Sequence, residues 1–313
     1  MTLSRTIAFR NREGMTLRGI LSEPDPAISR GACVLLLSPG IKGRVGPHRL
    51  YLKIAARLIP LGFHVLRFDY SGLGDSEGYV DERMLVDVYN TIHAGRYVDD
   101  TICAMDWMQQ EVGVSRFIGS GLCGGSISAL LAAKADSRIE CLLGIGLPTV
   151  LEGGPENWAK ALTHHQAAAL RGRYVRKLLD PKAWTRLVSG RTNYEALWKV
   201  VKKALPVPAA PKPAPGPSKP ADTDRTNPHF ASAFWSMLST GRPMLLIFSG
   251  ADRLRYQFAE NFESHHAARL EPFQHLYEVH VIEKANHVLS SAAWVDELGD
   301  VAGRWLSSRY PAN

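Results

Sequence analysis

A cysteine set among glycines is the residue most able to do chemistry in this chain. In Phe117-Ile118-Gly119-Ser120-Gly121-Leu122-Cys123-Gly124-Gly125-Ser126 an apolar run meets a glycine cluster, and a helical pattern follows to Lys134. Gly121-Leu122-Cys123-Gly124-Gly125 fits the G-x-S-x-G nucleophile elbow, with cysteine in the serine position. Glycine neighbours let strand and helix close on a residue held in strained backbone, which lifts its side chain above the sheet. The partial positive charge at the start of the next helix favours a thiolate there. The plain alternative is a small buried cysteine in a glycine-rich turn.

Two further residues complete a covalent apparatus in the order nucleophile, acid, base. Asp252 follows an apolar run at 243–248, and His287 follows another at 276–282. A carboxylate can orient the imidazole, the imidazole can take the thiol proton, and the sulfur then attacks a carbonyl carbon. The oxyanion that develops needs two donors. One is the backbone N–H of Gly124. The other comes from the loop Ser38-Pro39-Gly40-Ile41, with Ile41 the first choice and Gly40 the second. Asp69 or Asp75 could replace the acid, and His64 or His280 the base. However, Asp69 follows the wrong strand, and both histidines fall inside strands.

The elements that must hold these groups alternate. Strands are predicted at 6–9 and 15–21 (an edge hairpin), then at 33–37, 62–68, 116–118, 141–146, 243–248 and 276–282. Helices are predicted at 48–59, 97–110, 126–134, 256–270 and 292–307. That order implies an α/β fold with a mainly parallel central sheet and helices on both faces. Residues 1–148 and 241–313 form its two parts. Residues 149–240 read as an inserted, helical, basic lid, and its Pro/Ala tract at about 206–221 cannot pack as a helix.

A chain of 313 residues with 45% hydrophobic content can bury a large core. No secretory signal opens it, and no apolar run is long enough to span a bilayer. Cys33, Cys103, Cys123 and Cys141 are widely spaced and show no metal-ligand pattern. A cytoplasmic location is therefore expected, with no metal and no cofactor. The net charge of +7 is concentrated between Arg171 and Lys203, where ten bases face only Asp180 and Glu195. No nucleic-acid module accompanies that charge. If the segment roofs the site, Arg171, Arg173, Arg176 and Lys177 would attract a phosphate-bearing or acidic substrate carrier.

Nearly the whole chain resembles the α/β-hydrolase fold superfamily. Phe68-Asp69-Tyr70-Ser71-Gly72-Leu73-Gly74-Asp75-Ser76-Glu77-Gly78 is similar to the superfamily's segment after the fourth strand. That segment, Gly121-Leu122-Cys123-Gly124 and Tyr174-Val175-Arg176-Lys177-Leu178-Leu179-Asp180-Pro181-Lys182-Ala183-Trp184 together resemble the exosortase A system-associated hydrolases of type 1. The elbow cysteine also resembles that of dienelactone hydrolases and polyhydroxyalkanoate synthases, which use it covalently. The resemblance implies a working nucleophile. A thiolate exchanges readily with thioesters but expels poorer leaving groups less well. The expected substrate is therefore an activated acyl group, most naturally a thioester on coenzyme A or an acyl carrier protein. Water as acceptor makes a hydrolase or thioesterase; an amine or alcohol makes an acyltransferase or cyclase. A non-catalytic binding protein on the same fold is the reading of another class.

Overall fold

In chain order the elements are β1 (Leu3–Arg10), β2 (Thr16–Glu23), β3 (Ala32–Leu37), α1 (Leu50–Leu58) and β4 (His64–Phe68). Next come α2 (Leu85–His93), α3 (Val98–Val112), β5 (Arg116–Leu122), α4 (Gly124–Ala135) and β6 (Ile139–Ile145). The last group is α5 (Pro228–Ser239), β7 (Met244–Ser249), α6 (Arg253–Phe258), β8 (Tyr277–Ile282) and α7 (Ala292–Arg309). The computed structural model describes residues 3–80, 85–151 and 226–311. All belong to one of two compact units, residues 1–158 with 225–313; the other unit, 159–224, lies outside the described residues, as does most of the expected lid.

Eight strands form one sheet in the order β1-β2-β4-β3-β5-β6-β7-β8. The β1–β2 hairpin and the β2–β4 pair are antiparallel, and every pair from β4 through β8 is parallel. All six residues of β3 are buried, as are all six of β7, which suits strands covered on both faces. Leu35, Leu37 and Phe117 join a core that includes residues of α2, α3, α4 and α5. Val34, Leu36 and Ile118 point the other way, into a second core with α1 and α7. Among the described residues no helix is long and apolar enough to cross a membrane.

Three differences from the sequence reading bear on the site. First, α2 was not anticipated, although its buried Val88 and Ile92 lie one helical turn apart. Second, the continuous helix expected at 256–270 is broken. After α6 the chain makes a π turn at Ala259–Glu263, with Ser264 N–H bonded to the Ala259 carbonyl at 2.9 Å, and a short helix Ala267–Leu270 follows. Phe262 in that wide turn packs against Phe230 and Phe234, each with ring centroids 4.9 Å away. Third, α5 shares the core, because Phe230, Phe234 and Met237 are fully buried in it. Its N-cap, Asn227, accepts from His229 N–H and donates through Nδ2 to the His93 carbonyl at 3.0 Å. Val150 and Thr226, near the ends of two described segments, meet in an isolated antiparallel bridge.

Candidate active site

Cys123 stands between the end of β5 and the first residue of α4, at φ 51°, ψ −112°. Positive φ is costly for a residue with a Cβ, and here the packed strand and helix on either side enforce it. Gly124 permits the close approach of the loop after β3: a Cβ on it would lie 2.7 Å from the Gly40 nitrogen. The backbone at Gly40, itself at φ +66°, thus runs beside the start of α4, whose first N–H groups have no partner within the helix. Tyr51 fixes the same neighbourhood from below. Its buried hydroxyl donates to the Leu37 carbonyl at 2.6 Å and accepts from Leu122 N–H at 2.8 Å.

Asp252 and His287 arrive from the ends of β7 and β8. Asp252 is the N-cap of α6, and its Oδ1 accepts from Leu254 N–H at 3.4 Å. Its Oδ2 lies 2.5 Å from His287 Nδ1. The acid is therefore both a turn residue and the partner of the imidazole. Ala251 N–H bonds to the Ala285 carbonyl at 2.9 Å, tying the two loops together. Cys123 lines the same cleft as His287, and its sulfur acts on the imidazole as well. The Asp252 bond first, then the nearby Cys123 sulfur, push the imidazole from its ordinary 6.5 up to about 10 against the opposing effect of burial.

Both causes can be separated. In Cys123→Ala the His287 imidazole will titrate lower than in the wild type yet still above 6.5, because the Asp252 bond remains; histidine NMR resonances followed with pH will show it. The folded value lies above the unfolded one. The pairing therefore adds stability that is complete below pH 6.5 and is withdrawn as pH rises through about 10. The stability gap between wild type and Asp252→Asn should accordingly shrink from pH 6 to pH 10.5.

The alternative residues are occupied elsewhere. Asp69 is buried and accepts from Arg44 N–H at 2.7 Å, from Asp75 N–H at 3.1 Å and from the Arg44 guanidinium. Arg44 also bonds to Asp75 at 2.5 Å, which holds that carboxyl below its usual range. These contacts anchor the loop carrying Gly40 and Ile41 to the loop after β4. His280 pairs with Glu297 on α7 at 2.9 Å, and burial lowers His64. Burial also pushes the Cys33 and Cys141 thiols up, the latter to about 12. Arg171, Arg173, Arg176 and Lys177 lie outside the described residues.

A cleft of about 330 Å³ opens on the sulfur, lined by Cys123, Asp252 and His287 together with Tyr89, His93, Pro148, Val150, Arg253, Leu254 and Gln257. Tyr89 and His93 come from the unanticipated α2, and their signal was the Val88–Ile92 spacing. Arg253 and Gln257 share one face of α6, four residues apart. Among the described residues no group of three His, Cys, Asp or Glu side chains is placed to hold a metal ion.

No protein-family model and no curated protein matches the chain. Solved structures do. An α/β serine hydrolase without a lid from Xanthomonas campestris aligns with a TM-score of 0.55 at 14% identity, over 99% of this chain and 96% of that one. An esterase from Pyrococcus furiosus aligns with a TM-score of 0.60 at 16% identity, over 98% and 93%. Dienelactone hydrolase from Anabaena variabilis gives 0.54 at 15% identity, over 99% and 98%. At such identities the likeness is one of architecture. Strand order, the strained turn between β5 and α4, and likenesses running the length of the chain establish that this protein has the α/β-hydrolase fold.

Proposed function

We propose that the chain is a hydrolase that works through an acyl-thioenzyme on Cys123, with thioesters as its substrate class. The observation that carries this reading is the His287 ring, bonded to Asp252 on one side and interacting with Cys123 on the other. An imidazole raised to about 10 holds its proton at neutral pH, so it meets the sulfur as an imidazolium. The thiolate attacks the thioester carbonyl, and the oxyanion is held by Gly124 N–H and by Ile41 or Gly40 N–H. As the carbon–sulfur bond of the substrate breaks, His287 gives its proton to the leaving thiolate. The neutral imidazole then takes a proton from water, which attacks the acyl-thioenzyme and releases the acid and Cys123.

Esterases and serine hydrolases on the same fold support acyl transfer as the reaction class. Cysteine in place of serine favours a thioester, because thiolate replaces thiolate at little energetic cost. The bases at 171–177 fit coenzyme A or an acyl carrier protein as the carrier. An amine or alcohol entering after acylation would turn the same intermediate into an acyltransferase or cyclase product.

Trapping the intermediate tests the reading. Brief exposure to an acyl thioester should add one acyl mass to the intact protein, on the peptide containing Cys123, and hydroxylamine should remove it. Equal acylation of Cys123→Ala, or none in the wild type, would leave the fold assignment standing and remove the mechanism.

A further inference from the structure

Gln257 lines the cleft from α6 and is only 5% exposed. It lies three residues beyond Leu254, so both reach the cleft from one side of the helix. A side-chain amide enclosed to this degree ordinarily finds a hydrogen-bond partner. Gln257 departs from that pattern. Among the described residues its amide has no such partner, and neither of its polar atoms is sealed from solvent. The little surface it keeps therefore includes the amide, and the space that amide meets is the cleft on Cys123. This separates it from His93 on the same wall, whose Nε2 is unpaired but sealed. The lining is otherwise apolar at Pro148, Val150 and Leu254.

We propose that Gln257 selects a short acyl group ending in a primary carboxamide, paired edge to edge with its own amide while the methylenes lie against Pro148, Val150 and Leu254. This deepens the acyl-thioenzyme reading and rests on it. A primary amide offers N–H and C=O on one edge, the complement of what Gln257 presents. A carboxylate offers only acceptors and would set one oxygen against the Gln257 carbonyl. A secondary trans amide, as in a carrier arm, holds its N–H and C=O on opposite sides and leaves half of Gln257 unpaired. An alkyl end would leave all of it unpaired, which is unfavourable for so enclosed a group. The enclosure points the same way, since a carrier arm must lead out to solvent whereas the tail of an acyl group can be shut in. At about 330 Å³ the cleft is small for a ligand site, which suits a short chain.

The test compares three acyl groups of one size as thioesters of N-acetylcysteamine, a thiol without charge or phosphate: the half-amide of glutaric acid, its apolar isostere 5-methylhexanoyl, and glutaryl. The half-amide should have the highest kcat/KM, by about 10- to 100-fold over 5-methylhexanoyl. In Gln257→Leu that ratio should fall to one or below. Leucine also reads any structural role of the amide: with no internal bond to lose, the variant should unfold at the same urea concentration as the wild type or a higher one. A clear loss of stability would show that the amide holds the fold together, and would overturn the proposal. A half-amide to alkyl ratio near one in the wild type, with both thioesters turned over, would overturn it and leave the thioesterase reading intact, as would a preference for glutaryl. A strong preference for the N-acetylcysteamine thioester of 5-methylhexanoate over its propanethiol thioester, abolished in Gln257→Leu, would place the leaving thiol's amide on Gln257 and equally overturn it. If none of the thioesters acylates Cys123, the reading underneath falls and takes the proposal with it.

Discussion

Cys123→Ala will turn over an acyl thioester about 10⁴-fold more slowly than the wild type, or worse, while melting within a few degrees of it. The two halves of that result have separate causes. Alanine keeps the Cβ, so the φ of 51° is no more strained than before, and the half-buried sulfur leaves little packing behind. The chemistry has no substitute. Cys33 and Cys141 are buried among strand residues, and Cys103 lies on α3, away from the cleft lining. Cys123→Ser separates nucleophile from shape. Its hydroxyl cannot pre-form an ion pair, so His287 must accept the proton during attack, and the rate should rise with pH as the imidazole becomes neutral. Steady-state kinetics across pH would settle both; an alanine variant retaining a tenth of wild-type activity would sink the nucleophile assignment.

Gly125→Ala will cost about 3 kcal/mol or more of stability and take the activity with it. A Cβ there would stand 2.1 Å from the Leu37 carbonyl oxygen and 3.1 Å from that of Ser38. Neither atom belongs to a flexible side chain; both are backbone at the end of β3, where the Gly40–Ile41 loop begins. Relief requires α4 to withdraw from the sheet, which displaces Cys123 and Gly124 together. Gly113 provides the contrast. It also has positive φ, +76°, but no atom lies within 4 Å of its missing Cβ. Gly113→Ala should therefore cost only the backbone strain, about 1 kcal/mol. Urea unfolding of the two variants compares these costs directly, and failure of Gly125→Ala to accumulate as folded protein is the same outcome in stronger form. Equal losses in the two would mean that the close approach at the elbow is not what glycine serves.

Much of this was readable from residue types. Leu35-Leu36-Leu37 is apolar throughout because helices cover both faces of β3, and the glycines around Cys123 mark where chain segments crowd. Asp252 and His287 were legible because each follows an apolar strand in the required order, and in space they meet. What sequence could not display was the far wall of the cleft. The segment of α2 is short and mixes Asp87, Asn90 and Thr91 with its two buried aliphatics, so its period is weak. His93 is an ordinary helix residue in sequence, and only the fold buries it on the cleft wall. The break at 259–263 was hidden for a related reason: a π turn has nearly helical sequence, and only the packing of Phe262 shows why the extra residue is there. Nothing in the sequence separates Arg253 from a solvated base, because only the fold brings it to the cleft.

The hydroxyl of Tyr51 links the two strands that lead to the site. One oxygen atom extends the ladder between β3 and β5 past the point where their backbones part, bridging the strand that leads to the loop donor and the strand that leads to the sulfur. Burial keeps that phenol protonated well beyond the ordinary range. In the proposed mechanism the spacing of the two arms that would grip the developing charge is thus set by a neutral rivet, indifferent to acidity, while the proton traffic would run through His287.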